Sequence, residues 1–101
     1  LEQTRILEKL VREYIRMYPD IQVRGHYQSS RNKICPGFWV PAFVKGLGFP
    51  DKNIYWESPY YSSDKKSSKG KGPTLLENSK RMLERLHYTW DPNFEFRNGA
   101  A

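Results

Sequence analysis

The run Thr74-Leu75-Leu76-Glu77-Asn78-Ser79-Lys80-Arg81-Met82-Leu83-Glu84-Arg85-Leu86-His87-Tyr88 carries the strongest pattern in the chain. Thr74 and Glu77 have capping-box spacing, in which a hydroxyl and a carboxylate satisfy the backbone N–H groups that open a helix. Behind them Leu75, Leu76, Ser79, Met82, Leu83 and Leu86 recur every three or four residues and share one face. The spacing predicts a helix over about 74–88 with Lys80, Arg81 and Arg85 on its polar side. Such a helix persists only if its apolar face is covered, so the rest of the chain must supply partners.

Two upstream segments are suited to that task. From Gln3 to Tyr18, apolar residues at Leu7, Leu10, Val11, Tyr14, Ile15 and Tyr18 predict a helix over about 3–18, ended by Pro19 and Asp20. Arg5, Lys9, Arg12 and Arg16 lie opposite, with Glu8 four residues before Arg12 for a weak intrahelical pair. Phe38-Trp39-Val40-Pro41-Ala42-Phe43-Val44 is too continuously apolar for solvent, and Pro41 suits a first helical turn. A short buried helix over about 41–47 is expected there, stopped by Gly48 and Pro50.

Strand signals are shorter. Ile21, Val23 and Tyr27 alternate with polar residues, and 53–56 could form a second strand. Tyr88-Thr89-Trp90 and Phe94-Glu95-Phe96 flank Asp91-Pro92-Asn93 and suggest a C-terminal hairpin. The Ser-, Lys- and Gly-rich stretch 62–72 offers no apolar face and reads as a mobile loop. The expectation is a single basic α+β domain over 1–101, small and mainly helical, with a winged-helix-like arrangement as one compatible topology. Its termini read as the edges of a fragment cut from a longer protein.

The chain has 101 residues, enough for one core, with 38% hydrophobic and 15% aromatic residues to fill it. Seventeen Lys and Arg against eleven Asp and Glu leave a net charge of +6, which favours polyanionic partners. Cys35 is the sole cysteine, so no internal disulfide forms, and a reducing intracellular compartment, the nucleus in a eukaryote, is expected. No apolar run approaches the length of a membrane span.

Catalytic constellations are absent from the sequence. One Cys and two distant histidines, His26 and His87, do not make a zinc site. His26 reads as a loop or strand-end residue, and His87 as a complement to a helix C-terminus. Pro19-Asp20 and Pro50-Asp51 each resemble the opening of a metal-dependent nuclease motif, but the Glu-x-Lys that such a motif requires occurs nowhere. Gly70-Lys71-Gly72-Pro73-Thr74 lacks the spacing of a nucleotide-binding loop. No cofactor and no enzyme activity are expected.

The cations are more informative. No acidic residue occurs between Asp20 and Asp51, an interval that holds Arg24, Arg31, Lys33 and Lys45. Together with Lys65, Lys66, Lys69 and Lys71 in the loop, and with Lys80, Arg81 and Arg85, Arg24, Arg31 and Lys33 form the candidate cationic face. The loop lysines would hold phosphates at a helix start, and the arginines could reach base edges. Ion pairing of Glu77 with Arg81 and of Glu84 with Lys80 is the competing reading of the helix. The expected function is nucleic-acid binding, preferably to duplex DNA. The alternative is a protein-interaction or scaffold domain of a larger nuclear assembly, anchored by the aromatics Tyr55, Trp56, Tyr60 and Tyr61.

Overall fold

Good helix formers (Leu, Glu, Lys and Arg) fill the first segment, and in the computed structural model it forms α1, Glu2–Met17. The structure describes residues 2–25, 37–55, 66–68 and 71–88. Within α1, Arg12 binds Glu8 at 3.2 Å and Arg16 binds Glu13 at 2.7 Å, pairs that helical spacing brings together. The last turn closes with Tyr18 N–H on the Tyr14 carbonyl, and Pro19 prevents continuation.

The buried face of α1 differs from the expected one. Val11 and Ile15 are buried and Leu7 packs beside them, joined by Thr4 one turn earlier. Leu10, Tyr14 and Tyr18, assigned by spacing to the same face, are about half exposed and line up with Ile6 and Met17 on a neighbouring stripe. Two adjacent apolar stripes give one broad signal in sequence, and only the neighbouring elements decide which is covered.

Helix α2, Val40–Gly46, carries Pro41 in its first turn, where its missing N–H costs nothing, and is buried along most of its length. Its end is a Schellman motif: Gly48 N–H bonds the Lys45 carbonyl at 3.0 Å and Phe49 N–H reaches Val44 at 3.4 Å. Gly48 has φ +100°, a conformation that favours glycine. A 3-10 turn follows at Asp51–Asn53. The side chain of Asn53, 1% exposed, donates to the carbonyls of Pro19 (2.8 Å) and Ile21 (2.9 Å), and the Asn53 backbone carbonyl accepts from Val23 N–H (2.9 Å). This ties the exit of α1 to the chain after α2 through the parallel bridge Val23↔Ile54. That bridge stands where two strands were expected; positions 26–27 and 56 lie outside the described residues.

The run predicted as a loop over 62–72 carries a short antiparallel pair, β1 (Lys66–Ser68) and β2 (Lys71–Thr74), and no larger sheet occurs among the described residues. β2 leads directly into α3, Leu75–Arg85, whose cap is Thr74: the hydroxyl accepts from Glu77 N–H at 3.1 Å. The segment 37–39 is laced to α3 by three bonds. Trp39 N–H donates to the Leu75 carbonyl (2.9 Å), Ser79 Oγ to the Trp39 carbonyl (2.5 Å) and Asn78 Nδ2 to the Gly37 carbonyl (2.9 Å). Trp39, Phe43, Val44, Ile54, Leu75 and Leu83, all essentially inaccessible, form the centre of the core. The result is a small, mostly helical three-helix unit. The expected C-terminal hairpin lies outside the described residues from residue 89 onward.

α3 ends three residues earlier than its pattern suggested. His87 takes φ +67°, its N–H bonds the Glu84 carbonyl at 3.0 Å, and Tyr88 N–H returns to Leu83 at 2.9 Å. This is a second Schellman turn, with histidine in the left-handed position that glycine usually fills. His87→Gly should therefore stabilise the domain by about 0.5 to 1 kcal/mol, the relieved strain less the extra freedom of glycine in the unfolded chain. A urea midpoint that stays put or falls would show that the imidazole itself contributes to the fold.

Candidate functional site

Because residues 37–39 are stitched to one side of α3, its next side carries Asn78, Arg81, Met82 and Arg85 toward the first turns of α1. An open groove of about 350 Å³ lies between the two helices. Buried Thr4 and Phe38 with half-buried Leu7 and Met82 form its inner part, while exposed Gln3, Arg81 and Arg85 stand at its mouth. Phe38 is held in edge-to-face contact with Phe43, ring centroids 5.2 Å apart, so this part of the groove wall is braced by the core. None of the lining residues is acidic.

Elsewhere the structure pairs Lys45, one of the cations that the sequence leaves open, with an acid. Lys45 lies 2.8 Å from Asp51 and Lys52 3.4 Å from Asp20, so both aspartates bounding the acid-free interval face a lysine. Arg24 sits over the Tyr55 ring at 5.1 Å. It lies beyond the C-terminal end of α1, whereas Arg81 and Arg85 face its N-terminal turns; the structure does not bring Arg24 to them.

Arg12, read from sequence as an exposed cation with one weak partner, is a junction. Its guanidinium donates to Glu8, to the Leu47 carbonyl (3.2 Å) and to the Tyr88 hydroxyl, which in turn donates to Glu8. It also lies over the rings of Phe49 (5.3 Å) and Tyr88 (5.9 Å). Burial alone would lower the pKa of Arg12, but its bonds to Tyr88 and Glu8 outweigh that and raise it. Burial and the bond to Glu8 push the Tyr88 hydroxyl up, against the opposing pull of Arg12.

The two arginines of α3 contrast with this. Glu77, the expected partner of Arg81, faces the cap: Thr74 Oγ1 lies 3.2 Å from its carboxylate. Among the described residues no carboxylate pairs with Arg81 or Arg85. They stand one helical turn apart, both exposed, on the helix that also carries exposed Lys80. The backbone of Lys66 and Lys71 belongs to the hairpin packed on α3, with Lys66 opposite Thr74 and Lys71 opposite Ser68. Arg31, Lys33, Lys65 and Lys69 lie outside the described residues, as do Cys35, His26, Trp56, Tyr60 and Tyr61.

Arg81 and Arg85 stand exposed on the polar side of α3, as the spacing predicts, but the groove beside them has almost no signature in the sequence. Its one available signal is Thr4, which extends the 7–11–15 spacing by a turn with a small polar residue. No three His, Cys, Asp or Glu side chains converge as metal ligands among the described residues, and no helix among them is long and apolar enough to cross a membrane. No family model, curated protein or solved structure matches this chain.

Proposed function

We propose that this domain binds nucleic acid inside the cell, in the nucleus if the source is eukaryotic, with duplex DNA as the preferred partner and no chemistry of its own. One observation carries the reading: Arg81 and Arg85 stand exposed a turn apart on α3, with no carboxylate partner among the described residues and no acid in the groove beside them. Guanidinium groups so placed suit phosphate oxygens or the O6 and N7 edge of guanine. The hairpin lysines Lys66 and Lys71, together with Lys65 and Lys69, extend the phosphate contacts along the strand, and Arg24, Arg31 and Lys33 add to the surrounding field. In a winged-helix-like version of this arrangement the C-terminal hairpin would flank α3.

Fluorescence anisotropy of a labelled duplex, titrated at several salt concentrations, tests this directly. Affinity should fall steeply on a log-log salt plot. Replacing Arg81 and Arg85 together by alanine should weaken binding about tenfold and flatten the slope by about two. No binding at about 50 mM salt would sink the proposal. A second reading, a protein-interaction domain, is favoured by the α1 stripe of Ile6, Leu10, Tyr14, Met17 and Tyr18, each about half exposed. A partner held by that stripe would bind with little salt dependence and be indifferent to Arg81 and Arg85.

A further inference from the structure

We propose, building on the nucleic-acid reading, that the groove between α1 and α3 receives one unpaired nucleotide of the bound strand. The base lies against Phe38, Leu7 and Met82, and its phosphate meets Arg81 and Arg85 at the mouth.

Size is the first argument. At about 350 Å³ the groove stands at the small end of the range of ligand sites, roughly 300 to 1,000 Å³. It admits a single nucleoside unit and excludes a paired segment. The lining is the second argument, because it matches the two-part chemistry of a nucleotide. Aromatic, aliphatic and thioether groups suit a flat ring. The two guanidiniums suit an oxyanion, and no carboxylate is present to repel it.

Thr4 supplies the third and independent argument. It is 8% exposed and lines the groove, so a polar side chain stands among the apolar groups of the inner part. As a lining residue it can offer its hydroxyl to a polar atom of a ligand, as donor or acceptor. Asn78 points the same way: its Nδ2 is committed to the Gly37 carbonyl, which leaves the amide oxygen as an acceptor fixed in orientation. A hydroxyl and an amide oxygen beside an apolar slot provide both a donor and an acceptor for a base edge. The chain therefore favours a site where a base is already unpaired, since extruding one from a duplex carries its own cost.

The test compares a blunt duplex with the same duplex carrying a single-nucleotide bulge, by anisotropy at fixed salt. The bulged duplex should bind about tenfold more tightly, the effect expected of one stacked base. Adenosine 5′-monophosphate in excess should erase the difference. Met82→Trp, which fills the groove, should bring the bulged-to-blunt ratio to one. Thr4→Val, which keeps the shape and removes the hydroxyl, should lower that ratio and guards against a failure of the larger variant to fold. Equal binding of both duplexes overturns this inference and leaves the nucleic-acid reading intact, while binding of neither overturns both. A preference displaced by an acetylated leucine peptide carboxylate, and not by the nucleotide, assigns the groove to a peptide and overturns the inference.

Discussion

Leu83→Ala is expected to cost about 3 to 4 kcal/mol, in the range of large-to-small changes at sites that cannot collapse. Leu83 is 1% exposed and packs where α2 meets α3. Gly46 ends α2 directly against it: a Cβ placed at Gly46 would come within 2.4 and 2.8 Å of the two Leu83 methyl groups. The absence of a side chain at Gly46 thus makes room for this leucine. Gly46→Ala alone should overpack the contact and cost about 1 to 3 kcal/mol. In the Leu83→Ala background the same change meets an empty space and brings the better helix propensity of alanine, so it should be neutral or stabilising by up to about 1 kcal/mol. Urea unfolding of the four proteins gives the coupling. Strict additivity would mean that α2 shifts freely along α3, contrary to a braced core.

The three helices were legible because each has a local cause: the Thr74 cap with its apolar period, Pro41 ahead of a buried run, and the 7–11–15 spacing closed by Pro19. Ends and faces were less legible. α3 stops at Arg85 because His87 turns left-handed, and nothing in a histidine announces that conformation. The buried face of α1, Thr4, Val11 and Ile15, could be told from its exposed stripe only once the rest of the core was in place. At the site, charge patterning singled out Arg81 and Arg85 correctly as exposed cations but could not foresee that Asp51 and Asp20 would reach Lys45 and Lys52. Thr4 and Phe38 joined the groove through contacts spanning more than thirty residues, and those leave no trace in local pattern.

Arg12→Ala should destabilise the domain by about 2 kcal/mol, a figure kept below the sum of its contacts because 43% of the side chain is exposed and screened by water. The loss has a structural cause. Arg12 is the side chain that joins α1 to the end of α2, through the Leu47 carbonyl, and to the turn after α3, through Tyr88. Without it the Leu47 carbonyl loses its side-chain donor and Glu8 keeps only the Tyr88 hydroxyl. The network also makes stability fall at alkaline pH. The Tyr88 hydroxyl has its pKa raised above the ordinary 10.0, chiefly by burial and then by its bond to Glu8. The unfolded chain therefore ionises first: the contribution is complete below about pH 10 and is lost as pH rises through the higher folded value. Tyr88→Phe keeps the ring beside Arg12 but removes this hydroxyl, so it should flatten the alkaline fall while costing about 1 kcal/mol at neutral pH. Arg12 opposes the rise in the Tyr88 pKa, so Arg12→Ala should raise that pKa further and deepen the alkaline fall, besides lowering stability at neutral pH. Opposite effects of the two substitutions on the alkaline limb would identify Tyr88, bonded between Arg12 and Glu8, as the titrating group. A parallel loss at every pH would reduce Arg12 to packing alone.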